Sequence, residues 1–226
     1  GLITVVGVMS HMADADTPAD PGNAAARSHF DQAVRTARRA GLRPAHRHLA
    51  ATSAAITDPA ARHTMVRIGA GLVGIDLSGA SEGALIPSMT VTAPVLMVRS
   101  VRAGQAVGYG GRWRAPVESR LASVQAGYAD GVPRIAEGKA QVLIGAVRCP
   151  IVGRVSMDQV VVDVSRAAVQ PGDTATLWGP GDRGEPTVSD WAQWAGTIPH
   201  EIVTGLGDRV QRRIDRTAAS AWGVKR

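Results

Sequence analysis

Several residue types are scarce in this chain of 226 residues, and each scarcity excludes a class of protein. The one cysteine, Cys149, excludes an internal disulfide framework and a zinc site built from cysteines, and it is compatible with a reducing cytosol. No apolar run approaches the roughly 18–20 residues that a membrane span requires. We therefore expect a cytoplasmic protein with no membrane partner.

Aromatic residues and lysines are also rare. The chain has five tryptophans, two tyrosines and one phenylalanine, and Lys139 and Lys225 are the only lysines among 25 basic residues. Nucleic-acid-binding domains usually combine a basic stripe with interleaved aromatic residues, whereas the arginines here are scattered. We therefore predict no nucleic-acid partner, and individual arginines that are free to bind phosphate or carboxylate groups.

What the chain does contain indicates a folded, turn-rich protein. Hydrophobic residues make up 45% and charged residues 19%, which excludes disordered, collagen-like and coiled-coil chains. The 26 glycines and 13 prolines favour strands joined by turns over a helical bundle. The chain opens on an apolar, strand-like stretch without an initiator methionine or a signal sequence, so we expect an earlier segment of the fold to be missing.

The first part of the chain alternates predicted strands with predicted helices. The strands are expected at residues 5–11, 46–51 and 65–72. A longer helix carries Phe30, Ala33, Val34 and Ala37 on one face, with Asp20 or Asn23 as its cap and Gly41 at its end, and a short helix covers residues 53–56. This order is typical of parallel strands, but two or three such units are too few to close a barrel of eight.

After Pro87 the pattern changes to strands separated by glycine-containing turns. We predict strands at residues 90–101, 123–126, 141–144, 150–155, 159–164 and 174–178, and one helix at 188–195 capped by Ser189 or Thr187 and ended by Gly196. The predicted fold class is therefore α/β followed by all-β, with residues 1–85 in the first domain and 86–226 in the second.

Three groups of polar residues are candidates for chemistry. Tyr128 lies in a Gly-Tyr-Ala-Asp-Gly turn after a strand, where it is either an acid–base group or a half-buried packing ring. Residues 153–159 concentrate polar side chains between two strands, as either a hydrogen-bond hub or a carboxylate site. His11, Arg67 and the trio 46–48 lie near the ends of early strands, where α/β folds bind ligands. The alternation of side chains along a strand argues against a metal site in that trio, and we predict no metal.

Taken together, these segments resemble the alanine racemase family in order and over essentially the whole chain. The matching segments are residues 10–11, 48–50, 65–69, 107–110, 127–134, 152–159, 172–173 and 196–202. The strings GYADG-x-PR and GR-x-SMDQ are the most specific. The resemblance implies the last part of a TIM-type (β/α)8 barrel that binds pyridoxal 5′-phosphate, followed by a β-rich C-terminal domain.

The resemblance also implies a mechanism. The cofactor would act as an electron sink when the α-proton of the substrate leaves, while two bases on opposite faces exchange that proton. Tyr128 is implied as one base. Because this tyrosine enters the partner subunit's site in the family, a head-to-tail homodimer is implied as well. Arg67 would face the pyridine nitrogen of the cofactor, and His11 would orient Arg67.

The remaining implied contacts bind the phosphate and the substrate. Thr52, Gly69 and Ala70 would hold the cofactor phosphate through a hydroxyl and backbone N–H groups. Met157, through its backbone, and Asp158 would lie near the carboxylate of a small amino-acid substrate.

Departures from the family pattern concern the second base and the pocket. The cofactor-binding lysine belongs to an early barrel segment that is absent here, and neither lysine of this chain matches it. Five positions also differ from the usual residue, namely Ala51 for Asn, Thr52 for Ser, and Val73, His200 and Ile214 for Tyr. We therefore expect this chain alone to be inactive and to need an N-terminal barrel segment, which could be a separate chain.

Two functions follow from these observations. The first is an amino-acid racemase that interconverts L- and D-alanine once the N-terminal segment is supplied. The alternative is a non-catalytic remnant that acts as a dimerisation or interaction module. The motifs fit cell-wall D-alanine supply, antibiotic biosynthesis and inhibitor resistance equally well.

Overall fold

The structure, a computed structural model, describes residues 3–215 and divides into two compact units between Met89 and Thr90. Within the described residues, no helix has the length and apolar character needed to cross a membrane. Each unit has its own buried core.

The first unit alternates short strands and helices, as predicted. Its elements are β1 (Gly7–Met9), α1 (Pro21–Arg39), β2 (His46–His48) and α2 (Thr52–Thr57). Strands β1 and β2 are parallel, with Gly7 opposite His46 and Met9 opposite His48. The parallel pairing follows from the helix that connects the two strands.

Helix α1 begins where the sequence indicates and covers the core of the first unit. The carboxylate of Asp20 accepts a hydrogen bond from the N–H of Gly22 at 2.7 Å, which makes Asp20 the cap. Asn23 is instead buried, and its side-chain amide donates to the carbonyls of Asp14 and Thr17. The core consists of Met12, Phe30, Val34, Leu49, Ala50, Ala54 and Ala61.

The strand predicted at residues 65–72 is wrong. Only Met65 pairs with the sheet, through a single parallel bridge to His48, and Ala70–Val73 form a 3₁₀ turn. The apolar residues of this stretch are typical of a buried strand, but Gly69 and Gly71 weaken the preference of the stretch for an extended backbone. After the bridge, residues 66–68 form no further strand pairing, and the chain turns at Gly69.

The second unit is built around one antiparallel sheet. Its strands are β3 (Val91–Val101), β4 (Ala106–Val107), β5 (Trp113–Arg114), β6 (Ser119–Val124), β7 (Gln141–Ile144), β8 (Val147–Pro150), β9 (Val160–Asp163) and β10 (Thr174–Trp178). Six of them form a sheet in the order β8-β7-β10-β3-β6-β9, and β4 pairs with β5. Ile151, just after β8, bridges Val162 on β9, so the sheet is partly closed.

Helices α3 (Val188–Ala195) and α4 (Pro199–Thr204) follow the sheet. Thr187 and Asp190 form a reciprocal capping box at the start of α3, so Thr187 and not Ser189 is the cap. Trp191 on α3 packs edge-on against Trp178 of β10 at 5.8 Å between ring centroids, and its ring N–H donates to the carbonyl of Leu177. These contacts join α3 to the core under the sheet.

Two predicted strands of the second unit need correction. The strand predicted at 123–126 belongs to β6, which begins at Ser119. Residues 150–155 are not a continuous strand, because β8 ends at Pro150 and Gly153 takes a left-handed conformation with φ of 71°. The chain then continues into the polar segment before β9, which is where the candidate site residues lie.

Candidate functional site

Polar residues of the first unit meet at the carboxyl ends of β1 and β2. The N–H of Ser10, which precedes His11, donates to the carbonyl of His48 at 2.9 Å, and the N–H of Arg67 donates to the carbonyl of Ala50 at 3.1 Å. His11, His48 and Arg67 are therefore held at the same edge of the short parallel sheet. This is the edge at which α/β folds bind ligands.

His48 and Arg67 form the central contact of this group. Nε of Arg67 donates to Nε2 of His48 at 2.5 Å, while Nδ1 of His48 lies 3.3 Å from the carbonyl oxygen of Met65. Because an arginine donates only, Nε2 must be the acceptor and Nδ1 must carry the proton. The two contacts thus select one neutral tautomer of His48 and fix the direction of the guanidinium.

Burial keeps His48 neutral. The side chain is fully buried, and this burial lowers the pKa of His48 from its usual value of 6.5. The hydrogen bond with Met65 opposes the shift, while the nearby charges of Arg67 and His11 add to it. Arg67 therefore faces a neutral acceptor.

This geometry changes one residue role that the sequence suggested. The resemblance implied that His11 orients Arg67, but the hydrogen bond on the guanidinium goes to His48. His11 is exposed and close enough to influence the pKa of His48. The signal for His48 was present in the sequence, since it lies within a predicted strand and opens a matching segment, but its burial could not be predicted.

Thr52 and the turn that begins at Gly69 form a second group in the first unit. The hydroxyl oxygen of Thr52 accepts from the N–H of Gly71 at 3.2 Å, so the hydroxyl proton stays available to a ligand. No atom lies within 4 Å of the position that a Cβ would take on Gly69. The N–H groups that begin a 3₁₀ turn have no acceptor within it, so Gly69 and Ala70 can donate to an anion.

The residues of these two groups provide the donors that the non-covalent contacts of a phosphorylated pyridine cofactor require. The turn and Thr52 offer hydroxyl and N–H donors to a phosphate, and the open space beside Gly69 leaves room for it. Arg67 offers a fixed cationic donor to a ring nitrogen. A covalent anchor is lacking: Lys139, the one lysine among residues 3–215, is exposed in a turn of the second unit.

In the second unit, the turn that carries Tyr128 is tied to the loop after Gly153. The N–H groups of Tyr128 and Ala129 donate to the carbonyls of Ser156 and Met157, each at 3.0 Å. A Cβ on Gly127 would lie 2.2 Å from the carbonyl oxygen of Met157, so only glycine allows this approach. The two most specific motifs of the sequence therefore form one structural unit.

Charged side chains complete this arrangement. Arg209 contacts Asp158 at 2.7 Å through Nη2 and Asp130 at 3.3 Å through Nε. The other oxygen of Asp130 accepts the N–H of Gly127 at 2.9 Å. No sequence pattern marked Arg209 as functional, because only the folded chain brings it beside these motifs.

Tyr109 is a second exposed tyrosine beside the same loop. It follows Gly108, where a Cβ would lie 3.3 Å from the backbone nitrogen of Arg154. Tyr109 is 72% exposed, compared with 43% for Tyr128. The sequence placed Tyr109 in a matching segment, but its exposure close to residues 153–154 becomes evident only in the structure.

The other positions at which the sequence departs from the family pattern have different surroundings. Ala51 precedes α2 without a side-chain cap, Val73 ends a 3₁₀ turn, and His200 has a buried Nδ1 that lacks a partner among the described residues. Ile214 is exposed, and Lys225 lies outside the described residues. No group of histidine, cysteine or carboxylate side chains in residues 3–215 could hold a metal ion.

Comparison with known proteins gives a consistent result. Residues 88–214 match the family model "Alanine racemase, C-terminal domain", and residues 1–76 match "Alanine racemase, N-terminal domain". The alanine racemase of Thermobifida fusca is 46% identical over 94% of this chain and 57% of its own length. That of Streptomyces coelicolor is 43% identical over 94% of this chain and 55% of its own length.

Solved structures give the same relationship. The alanine racemase from Streptomyces coelicolor A3(2) matches with a TM-score of 0.88 at 42% identity, over 94% of this chain and 56% of that one. The alanine racemase from Bartonella henselae, solved with covalently bound pyridoxal phosphate, matches with a TM-score of 0.81 at 31% identity, over 92% of this chain and 56% of that one. The chain thus spans a little over half the length of these relatives.

Proposed function

The chain belongs to the alanine racemase family, and on that premise we propose that it forms part of a racemase that interconverts L- and D-alanine with pyridoxal 5′-phosphate. Its first unit corresponds to the last part of the family's barrel, and its second to the family's C-terminal β domain. Because the chain spans 57% of the Thermobifida fusca relative, an N-terminal segment would supply the cofactor-binding lysine.

The pair of Arg67 and His48 is the observation that carries this proposal. When bound, the cofactor would supply an electron sink for the charge left on the substrate α-carbon. Arg67 would hold the ring nitrogen with a permanent cation, and neutral His48 would keep that cation in place. Thr52, Gly69 and Ala70 would bind the phosphate.

Proton transfer on one face requires an accessible acid–base group, and the two tyrosines of the second unit are candidates. Tyr128 is implied by the family motif, and Tyr109 is favoured by its greater exposure beside the same loop. We propose that one of them moves the proton in the site of the partner subunit of a homodimer. The base for the other face would be the lysine of the N-terminal segment.

The substrate is proposed to be a small amino acid held near residues 157–158. The backbone of Met157 would contact the substrate carboxylate. The carboxylate of Asp158 is paired with Arg209, which offsets the repulsion between Asp158 and a substrate anion.

Borohydride reduction followed by intact-mass analysis tests the proposal, because reduction fixes bound cofactor to its lysine. The chain is produced together with the N-terminal segment of the Thermobifida fusca relative. We expect an adduct on the polypeptide that holds this segment and racemisation of alanine by the wild-type protein. Tyr128→Phe and Tyr109→Phe should both keep the adduct, and one of them should lower kcat at least about 100-fold. If both variants keep kcat within threefold, neither tyrosine is the base.

A non-catalytic module is the second candidate function. It is favoured because Lys139, the one lysine among the described residues, is exposed in a turn of the second unit and provides no covalent anchor for the cofactor. On this alternative, the protein shows no adduct, and added pyridoxal 5′-phosphate leaves its melting temperature unchanged.

A further inference from the structure

Three segments of the second unit meet at one guanidinium group. They are the turn 127–131, the loop 156–158 and the segment 205–209, which ends at Arg209. The guanidinium contacts Asp158 at 2.7 Å and Asp130 at 3.3 Å, so one side chain joins a carboxylate from each of the other two segments. Both carboxylates raise the pKa of Arg209.

The two carboxylates differ in how firmly they are held. Asp130 is mostly buried, and its second oxygen accepts the N–H of Gly127, so Asp130 is fixed within its own turn. Asp158 has a side chain that is 60% exposed, and Arg209 is its one ion-pair partner among residues 3–215. Arg209 therefore links an exposed carboxylate to a carboxylate that is fixed within its turn.

Backbone packing already brings the three segments together. A Cβ on Gly131 would lie 2.5 Å from the carbonyl oxygen of Gly205, and one on Gly207 would lie 3.0 Å from the carbonyl oxygen of Ala129. Since these contacts do not involve the Arg209 side chain, the segments can lie close together without its charge, and the charge would affect how tightly the loop 156–158 is held. The ion pair between the half-exposed side chains of Arg209 and Asp158 also contributes little to stability. Its effect should instead fall on the direction of Asp158.

We propose that Arg209 is a positioning residue that holds the loop 156–158 against the turn 127–131 and neutralises Asp158. The turn and the loop then present Tyr128, the Met157 backbone and a charge-compensated Asp158 as one rigid surface. A substrate carboxylate approaching Met157 would meet a paired aspartate instead of a free negative charge. The part of this role that concerns substrate rests on the proposed function.

Hydrogen exchange tests the positioning role without any activity. In the 226-residue chain, Arg209→Gln should raise amide exchange at least fivefold in peptides that cover 127–131 and 156–158, with no change in the β7 strand. Asp158→Asn should have the same effect on 156–158, and the double variant should add nothing further. Arg166→Gln is the matched control, because Arg166 is exposed and forms no ion pair within the described residues. Unchanged exchange in Arg209→Gln would overturn the proposal.

Kinetics test the consequence for the reaction. In the cofactor-loaded protein, Arg209→Gln should raise the KM for alanine at least tenfold and lower kcat by no more than threefold. Arg209→Lys should recover only part of the loss in KM, because a lysine restores the charge beside Asp158 but lacks the planar guanidinium that contacts both carboxylates. An unchanged KM in a variant with raised exchange would refute the substrate role. A wild-type protein that does not racemise alanine would refute the proposed function, while the exchange result still decides whether Arg209 positions the loop.

Discussion

At the scale of single residues, His48 has the most demanding position in the first unit. It is fully buried, donates through Nδ1 and accepts through Nε2, so one side chain satisfies two neighbours at once. We expect His48→Ala to lower the free energy of unfolding by about 2–4 kcal/mol, because it leaves a cavity and an unpaired Arg67. Pulse proteolysis in urea measures this loss. His46→Gln, at an exposed position on the same strand, should stay within about 0.5 kcal/mol of wild type.

The neutral state of His48 also predicts how stability depends on pH. Burial holds its pKa below 6.5 in the folded chain, whereas the unfolded chain takes up a proton near pH 6.5. The unfolded state therefore binds more protons below this pH, and stability falls as the pH drops through 6.5. Calorimetry at pH 7.5 and 5.5 should show a larger drop in melting temperature for wild type than for His48→Gln. Equal drops would show that His48 is not the group responsible.

At the scale of elements, local sequence signals predicted some structure well. Helices α1 and α3 have a polar cap, a periodic apolar face and a glycine after the end, and strands β7 and β10 match their predicted bounds. The strand predicted at residues 65–72 was wrong because the placement of this stretch depends on a single bridge to His48, which no local pattern encodes. The link between Arg209 and Asp158 could not be predicted for the same reason, since the two residues are far apart in the chain.

The close contact between the turn 127–131 and the loop 156–158 leads to a prediction about Gly127. In Gly127→Ala, the new Cβ would lie 2.2 Å from the carbonyl oxygen of Met157, so the turn and loop must separate. We expect a loss of about 1–3 kcal/mol, visible as a lower melting temperature in calorimetry. Gly138→Ala is the control: its Cβ meets no atom within 4 Å, so only its left-handed backbone costs about 1 kcal/mol. A smaller effect at Gly127 than at Gly138 would contradict the close contact.

At the scale of the whole molecule, the first unit exposes apolar side chains of a kind that is normally buried on the faces of a parallel sheet. Parallel strands are usually buried on both faces, yet Ile3, Val6 and Met9 on and before β1 are more than 60% exposed. We expect the N-terminal segment that the proposed function requires to cover this surface. Producing the chain with that segment should reduce aggregation in light scattering and raise the melting temperature by about 5 °C or more. Val6→Lys should reduce aggregation of the chain alone, and a chain that is monodisperse without the segment would contradict this expectation.

The contact between Trp178 and Trp191 in the core of the second unit has an optical consequence. Every tryptophan and tyrosine follows residue 100: Tyr109, Trp113, Tyr128, Trp178, Trp191, Trp194 and Trp222, the last outside the described residues. The first unit has Phe30 alone, so it is nearly silent in fluorescence. A fluorescence melt would follow the second unit, whereas far-ultraviolet circular dichroism would also detect α1. The difference between the two curves would report the unfolding of the first unit without any label.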